Sequence, residues 1–269
     1  MNSNIPVVLT IAGSDSGGGA GIQADLRTLA FHCVHGASAL TCVTAQNTLA
    51  VNRVDALSPE AVLAQLEAVV GDMGVQAVKT GMLLNAEIMQ AVSDRLRSLD
   101  LHPLVVDPVM VSRSGDRLID RQAVETLQQE LIPQATVVTP NRYEAQLLTG
   151  VEISSIENMK EAAETLKWQS GVQAVLIKGG GMTGELRGVD VLLDDREITV
   201  LETECIDTSN THGTGCTLSA AIAANLATGH SISDAVRQAK NYVTEALKWS
   251  LDIGQGTGPV GHFFPLCLN

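Results

Sequence analysis

Short apolar, β-branched runs alternate with longer amphipathic ones along most of the chain. Residues 7–12, 37–44, 77–80, 104–106, 136–139 and 174–177 read as buried strands. Between them, residues 22–31, 59–71, 86–99, 121–131 and 156–169 place apolar side chains at helical spacing. Strands alternating with helices imply right-handed crossovers. The pattern therefore predicts an α/β fold, a mainly parallel central sheet flanked by helices on both faces. The rhythm then changes. Residues 189–193 and 197–202, around Asp194-Asp195-Arg196, predict an antiparallel hairpin on one side of the sheet. Helices over 213–227 and 232–251 follow, then a glycine-rich tail at 254–261. No repeat or long linker interrupts the pattern, which predicts one domain spanning residues 1–269.

In open sheets of this kind ligands sit beyond the carboxyl ends of the strands. The unusual residues gather there. Gly13 to Gly21 follow the first strand, Gln46-Asn47 the second and Gly81-Met82 the third. Asp107-Pro108-Val109, the stretch from Asn141 to Glu144, and Lys178-Gly179-Gly180 follow later strands.

Composition narrows what could bind. The net charge of −13 argues against nucleic acid or an anionic membrane surface as partner, and aromatic residues at 3% leave no base-stacking platform. No run approaches the ~18 apolar residues of a membrane span. The five cysteines are scattered without a CxxC pair, which predicts free thiols in a reducing, cytoplasmic setting. An acidic protein that handles phosphates must concentrate positive potential locally, with backbone amides, a placed lysine or a metal ion.

Two segments offer such amides. Four glycines lie within residues 17–21, where the backbone can approach a ligand and then enter a helix, although a tight turn that binds nothing has the same composition. It is not a Walker A loop, because no Gly-Lys-Ser/Thr sequence occurs. The G-x-G-x-x-G match at 179–184 runs on toward a strand rather than opening a helix, so it reads as chance. The stronger segment is His212-Gly213-Thr214-Gly215-Cys216, a small-residue turn leading into a helix. Its unpaired first-turn amides form an anion site, suited to the charge on a transferring phosphoryl group. Taken alone it is also what a glycine-rich cap with a small buried cysteine looks like. Asp107 and Glu144 supply hard oxygen donors for Mg²⁺, directly or through waters, and Lys178 a cation for nucleotide phosphates. Singly, each is also an ordinary strand-end charge.

Taken in order, these segments resemble the hydroxymethylpyrimidine/phosphomethylpyrimidine kinases of the ribokinase-like superfamily. The matching motifs are IAGSDSGGGAGIQAD at 11–25, TAQNT at 44–48, VKTGML at 78–83 and VVDPVMVSRSGD at 105–116. VTPNRYE at 138–144, IKGG at 177–180, DTSNTHGTGCTLSAA at 207–221 and GPVGHF at 258–263 complete the set. The resemblance implies a ribokinase-like fold and transfer of the ATP γ-phosphate to the 5-hydroxymethyl group of 4-amino-5-hydroxymethyl-2-methylpyrimidine. A second transfer, to the monophosphate, would give the diphosphate.

By motif position, the resemblance puts Gly13, Asp25, Gln46, Met82 and Val109 around the pyrimidine. It puts Lys178, Asp207, Thr214 and Asn141 toward ATP, Glu144 and Asp107 at Mg²⁺, and Cys216, Gly213, Gly215 and Lys178 at the reacting atoms. Gln46 carries both amide donors and an acceptor, which match an aminopyrimidine edge. Cys216 stands where many related sugar kinases carry an aspartate base. A helix N-terminus favours a thiolate there. The alternative is that Cys216 positions the hydroxyl while amides, Mg²⁺ and Lys178 supply the rate. The resemblance also implies a homodimer, and pyridoxal kinase as the rival activity on the same fold.

Overall fold

The computed structural model describes residues 5–110, 119–180 and 184–267. The motif at 105–116 therefore passes outside the described residues from 111 onward, as does the middle of the 179–184 glycine match. Among the described residues nine strands form one sheet in the order β3-β2-β1-β4-β5-β6-β7-β8-β9. They are β1 (Val7–Asp15), β2 (His35–Gln46), β3 (Val51–Ala56), β4 (Ala77–Thr80), β5 (Leu104–Val106), β6 (Val137–Val138), β7 (Ala174–Ile177), β8 (Asp190–Leu193) and β9 (Ile198–Leu201). The six strands from β2 to β7 are parallel. β3 pairs antiparallel at one edge, and the β8–β9 hairpin closes the other.

Side-chain alternation divides the sheet's apolar runs between two cores. Leu9, Ile11, Val78, Leu104, Val106, Val138, Val175 and Ile177 face one side. There they meet α2 (Pro59–Met73), α3 (Ala86–Leu99), α4 (Arg121–Thr126), α5 (Arg142–Thr149) and α6 (Ile156–Ser170). Val8, Ala77, Val105, Val137, Ala174 and Leu176 face the other. That side is covered by α1 (Gly21–Phe31), α7 (Thr214–Ala227) and α8 (Ile232–Lys248). Burial on both faces is why the parallel strands read as continuous apolar runs rather than alternating ones. No described helix is long and apolar enough to cross a membrane.

Three elements depart from the sequence expectation. β3 has every side chain exposed, so no apolar rhythm announces it. The predicted helix over 121–131 is α4 followed by a π-helical turn (Leu127–Leu131), and Ile132–Gln134 tightens to a 3₁₀ turn. The residues after β6 form α5, a helix that the apolar pattern did not predict. Asn141 caps it by accepting from Glu144 N, while the Glu144 carboxylate accepts from Asn141 N. This is a reciprocal capping box.

After α8 the tail turns back across the sheet's carboxyl end. Val260 and Phe264 pack with Ala246. Tyr242 Oη donates to His262 O at 2.9 Å, and Gly261 lies against the Trp249 backbone and Cβ. The other tryptophan, Trp168, is 87% exposed on α6.

Candidate active site

The turn before α7 is built as an amide-rich opening. Gly213 caps the helix at φ 85° with no side-chain cap, so the first turn of α7 starts at the positive end of the helix dipole without one, the Thr214 N–H turning back to Thr211 O at 3.4 Å. Only glycine fits at 213, because a Cβ there would meet Gly19 O. That contact joins the turn to the first glycine loop. His212 strengthens the join: its backbone N–H donates to Gly258 O at 3.0 Å and its carbonyl accepts from Val260 N at 3.3 Å. Its ring Nε2 lies 2.8 Å from Asp15 Oδ2. Asp15 also accepts from the amides of Gly17, Gly19 and Ala20, so one carboxylate organises the whole loop. Burial works to raise the Asp15 carboxyl, but His212 and these amides outweigh it and hold it below the usual range.

The sequence-predicted charges converge beside this turn. Lys178 Nζ lies 2.9 Å from Asp107 Oδ1, and both are largely buried. A Cβ on Gly215 would come within 3.4 Å of Lys178 Nζ and 3.8 Å of Asp107 Oδ2, so the pair sits directly against the amides. Thr139 and Ser219 hydroxyls also bond Asp107. Burial pushes the Glu144 carboxyl up to about 7, against the pull of Lys178 and with the push of Asp107. Burial likewise works to raise Asp107, yet Lys178 and Lys79 keep it below its usual value.

Lys79 was not singled out from sequence. It is fully buried inside β4, and its Nζ lies 2.8 Å from Asp25 Oδ2. Thr10 Oγ1 donates to the same oxygen at 2.6 Å, while Asp25 Oδ1 has no partner among the described residues. A lysine inside the run Ala77-Val78-Lys79-Thr80 reads as a strand residue. Its partner lies 54 positions earlier, so no local signal announces it.

Of the other residues assigned by resemblance, Gly13 and Met82 are in contact, a Cβ on Gly13 lying 2.9 Å from Met82 Cε. Gln46 Nε2 lies 3.4 Å from His212 Nε2. Val109 follows in the strand-end turn, its N–H donating to Asp107 O at 2.9 Å. Thr214 turns its hydroxyl back to Thr211 O. Asp207 stands apart: it is exposed, and its side chain meets Arg187 at 3.8 Å. The thiol of Cys216 corrects an expectation. The helix N-terminus favours a thiolate, yet burial pushes this thiol up to about 11, with Lys79 and the Gly21 amide opposing and Asp25 and Asp107 reinforcing. Desolvation beside two carboxylates outweighs the dipole.

This donor set fits a magnesium ion. Asp25 and Lys79 neutralise each other. With both carboxyls ionised, Asp107, Glu144 and Lys178 then leave one negative charge, and burial, opposed by Lys178 and reinforced by Asp107, raises the Glu144 carboxyl. Among the described residues no group of three side chains could hold a metal unaided. Phosphate oxygens and waters would complete such a shell.

A family model described as phosphomethylpyrimidine kinase matches residues 15–261. The chain belongs to the phosphomethylpyrimidine kinase family. A hydroxymethylpyrimidine/phosphomethylpyrimidine kinase of Synechococcus elongatus is 59% identical over 262 residues, covering 97% of this chain and 99% of the relative. Among solved structures, an ADP complex of Bacillus subtilis pyridoxal kinase superposes with TM-score 0.90 at 40% identity, covering 98% of this chain and all of the other. A phosphomethylpyrimidine kinase from Clostridium difficile superposes with TM-score 0.81 at 42% identity, covering 90% of this chain and 99% of the other. As a member of the phosphomethylpyrimidine kinase family, the chain is a phosphotransferase with the ribokinase-like fold.

Proposed function

We propose that the chain uses ATP to phosphorylate 4-amino-5-hydroxymethyl-2-methylpyrimidine and then its monophosphate, giving the diphosphate needed for thiamine biosynthesis. The observation that carries this reading is the Lys178–Asp107 pair set against the Gly213-Thr214-Gly215 amides, within the electrostatic reach of Cys216. The amides and Lys178 would meet the charge on the transferring phosphoryl. Mg²⁺, held by Glu144 and Asp107, would neutralise the adjacent phosphates. Asn141 would face the Mg²⁺-phosphate end, and Asp207 with Arg187 the more exposed end of the nucleotide. Gly13, Asp25, Gln46, Met82 and Val109 would line the pyrimidine pocket, where Asp25 Oδ1, without a hydrogen-bond partner among the described residues, would accept from the amino group.

The hydroxymethyl oxygen forms the new bond to the γ-phosphorus as the bond to the β-bridging oxygen breaks, its electron pair leaving on ADP. The transition state is loose, so the hydroxyl proton departs late, onto an oxygen of the transferred phosphoryl and from there to water, and a strong resting base is not required. A thiol pushed up to about 11 suits Cys216 to positioning the hydroxyl rather than to serving as that base. The chain would act as a homodimer, with the wholly exposed β3 as its contact edge.

The high TM-score of the pyridoxal kinase complex favours one second reading, a kinase that also accepts pyridoxal. ADP release with product mass, measured against free pyrimidine, its monophosphate and pyridoxal, separates the two. Turnover of both pyrimidine forms is expected. No turnover of either sinks the main reading, and turnover of pyridoxal alone promotes the second. In the same assay Cys216→Ala should lose less than the 10²- to 10⁴-fold typical of removing a general base; a larger kcat loss restores Cys216 as the base.

A further inference from the structure

We infer that His212, together with Thr44, is a positioning residue for substrate recognition, because it fixes which way round Gln46 presents its amide. This rests on the reading of Gln46 as a pyrimidine-binding residue. Asp15 is the fixed point of the cluster. Its carboxylate can only accept, so His212 Nε2, 2.8 Å from Oδ2, must carry a proton. That same Nε2 lies 3.4 Å from one end of the Gln46 amide. The other end lies 3.3 Å from Thr44 Oγ1, whose hydroxyl is also 2.8 Å from Ser14 O.

With the amide nitrogen toward His212, two conflicts arise. Two N–H donors face each other, and Thr44 has one proton for two carbonyl oxygens. A half-turn of the amide removes both conflicts, and the two orientations differ only in hydrogen bonding. Gln46 Oε1 then accepts from His212 Nε2, which is shared with Asp15. Thr44 Oγ1 donates to Ser14 O and accepts from Gln46 Nε2. The Thr44 hydroxyl and the inner Gln46 N–H then have one acceptor each, the His212 N–H serves Asp15 and Gln46 together, and Gln46 retains one free N–H and one free carbonyl lone pair. Those are the two groups needed to pair with an aminopyrimidine edge, in a fixed order.

The backbone supports the same role. Gln46 N and O are both tied to Ser16 Oγ, at 2.8 and 2.7 Å, so the main chain is held while the amide rotation is left to His212 and Thr44. His212 in turn precedes Gly213, which joins pyrimidine recognition to the phosphoryl-binding turn.

The test is a double-mutant cycle in the intact enzyme, read as KM for the pyrimidine against KM for ATP. His212→Leu should raise the pyrimidine KM by about tenfold, the worth of one oriented hydrogen bond, and leave the ATP KM unchanged. His212→Gln, whose amide nitrogen reaches the same place as Nε2, should restore it. Thr44→Val should raise the pyrimidine KM in the same way and serves if His212→Leu does not fold. In a Gln46→Ala background neither change should raise KM further. A His212→Leu effect that persists in that background, or equal loss for both substrates, overturns the inference. If Gln46→Ala itself leaves the pyrimidine KM unchanged, the reading of the pocket fails first. A raised KM in Gln46→Ala with none in His212→Leu and Thr44→Val defeats the inference alone.

Discussion

At the scale of single residues, the site is governed by charges held out of water. Glu144 shows the consequence best. Its folded carboxyl sits at about 7, above its unfolded value, so between those limits the folded protein binds the extra proton. The stability this contributes is fully present below about pH 4.5 and is lost as pH rises through 7. Glu144→Gln should therefore raise Tm relative to wild type at pH 8, with the gain vanishing near pH 4, while kcat falls. A Tm difference that is independent of pH contradicts the buried-charge account. The same residue shows why sequence exposes some groups and conceals others. Asn141 and Glu144 stood out as chemistry, although their spacing equally announces a helix cap. Lys79 and Asp25 gave no mutual signal, because burial and the fold alone bring them to 2.8 Å. The protonation of Cys216 was likewise concealed: the helix start was legible, but the carboxylates behind it were not.

At the scale of elements, the parallel strands and most helices were legible because both faces of the sheet are covered and the apolar runs are long. β3 was not, since an element that buries nothing leaves no apolar trace. The sharpest elemental constraint is the start of α7. Gly213 combines φ 85° with a close approach to Gly19 O, whereas Gly229, beyond the end of the same helix, has φ 89° and open space around it. Gly213→Ala should abolish measurable turnover, because both glycine loops must shift. Gly229→Ala should cost only the backbone strain, about 1–3 kcal/mol, and keep wild-type kcat. Equal effects on activity, followed by turnover assay and thermal melting, would mean that conformation alone decides and that the loop contact is unimportant.

At the scale of the whole molecule, an acidic chain with net charge −13 brings two buried lysines, Lys79 and Lys178, to one end of the sheet, each paired with a carboxylate near the start of α7. The far edge is different. β3 exposes Val51 and Val54, while Arg53 and Asp55 pair along the strand. Charges on an edge strand discourage open-ended pairing, which favours a closed assembly. Sedimentation equilibrium should give a dimer, and Val51→Lys with Val54→Lys should shift it to monomer; a monomeric wild type removes β3 as an interface.

The tail's seat on Trp249 has an optical consequence. Only two indoles occur in the chain, and Trp168 projects into solvent from α6. A Trp168→Phe protein would carry a single fluorophore, placed where Gly261 closes against α8 and three residues from the Gly258 carbonyl that holds His212. Its emission would then follow the seating of the recognition turn directly, in the native enzyme and without an attached dye.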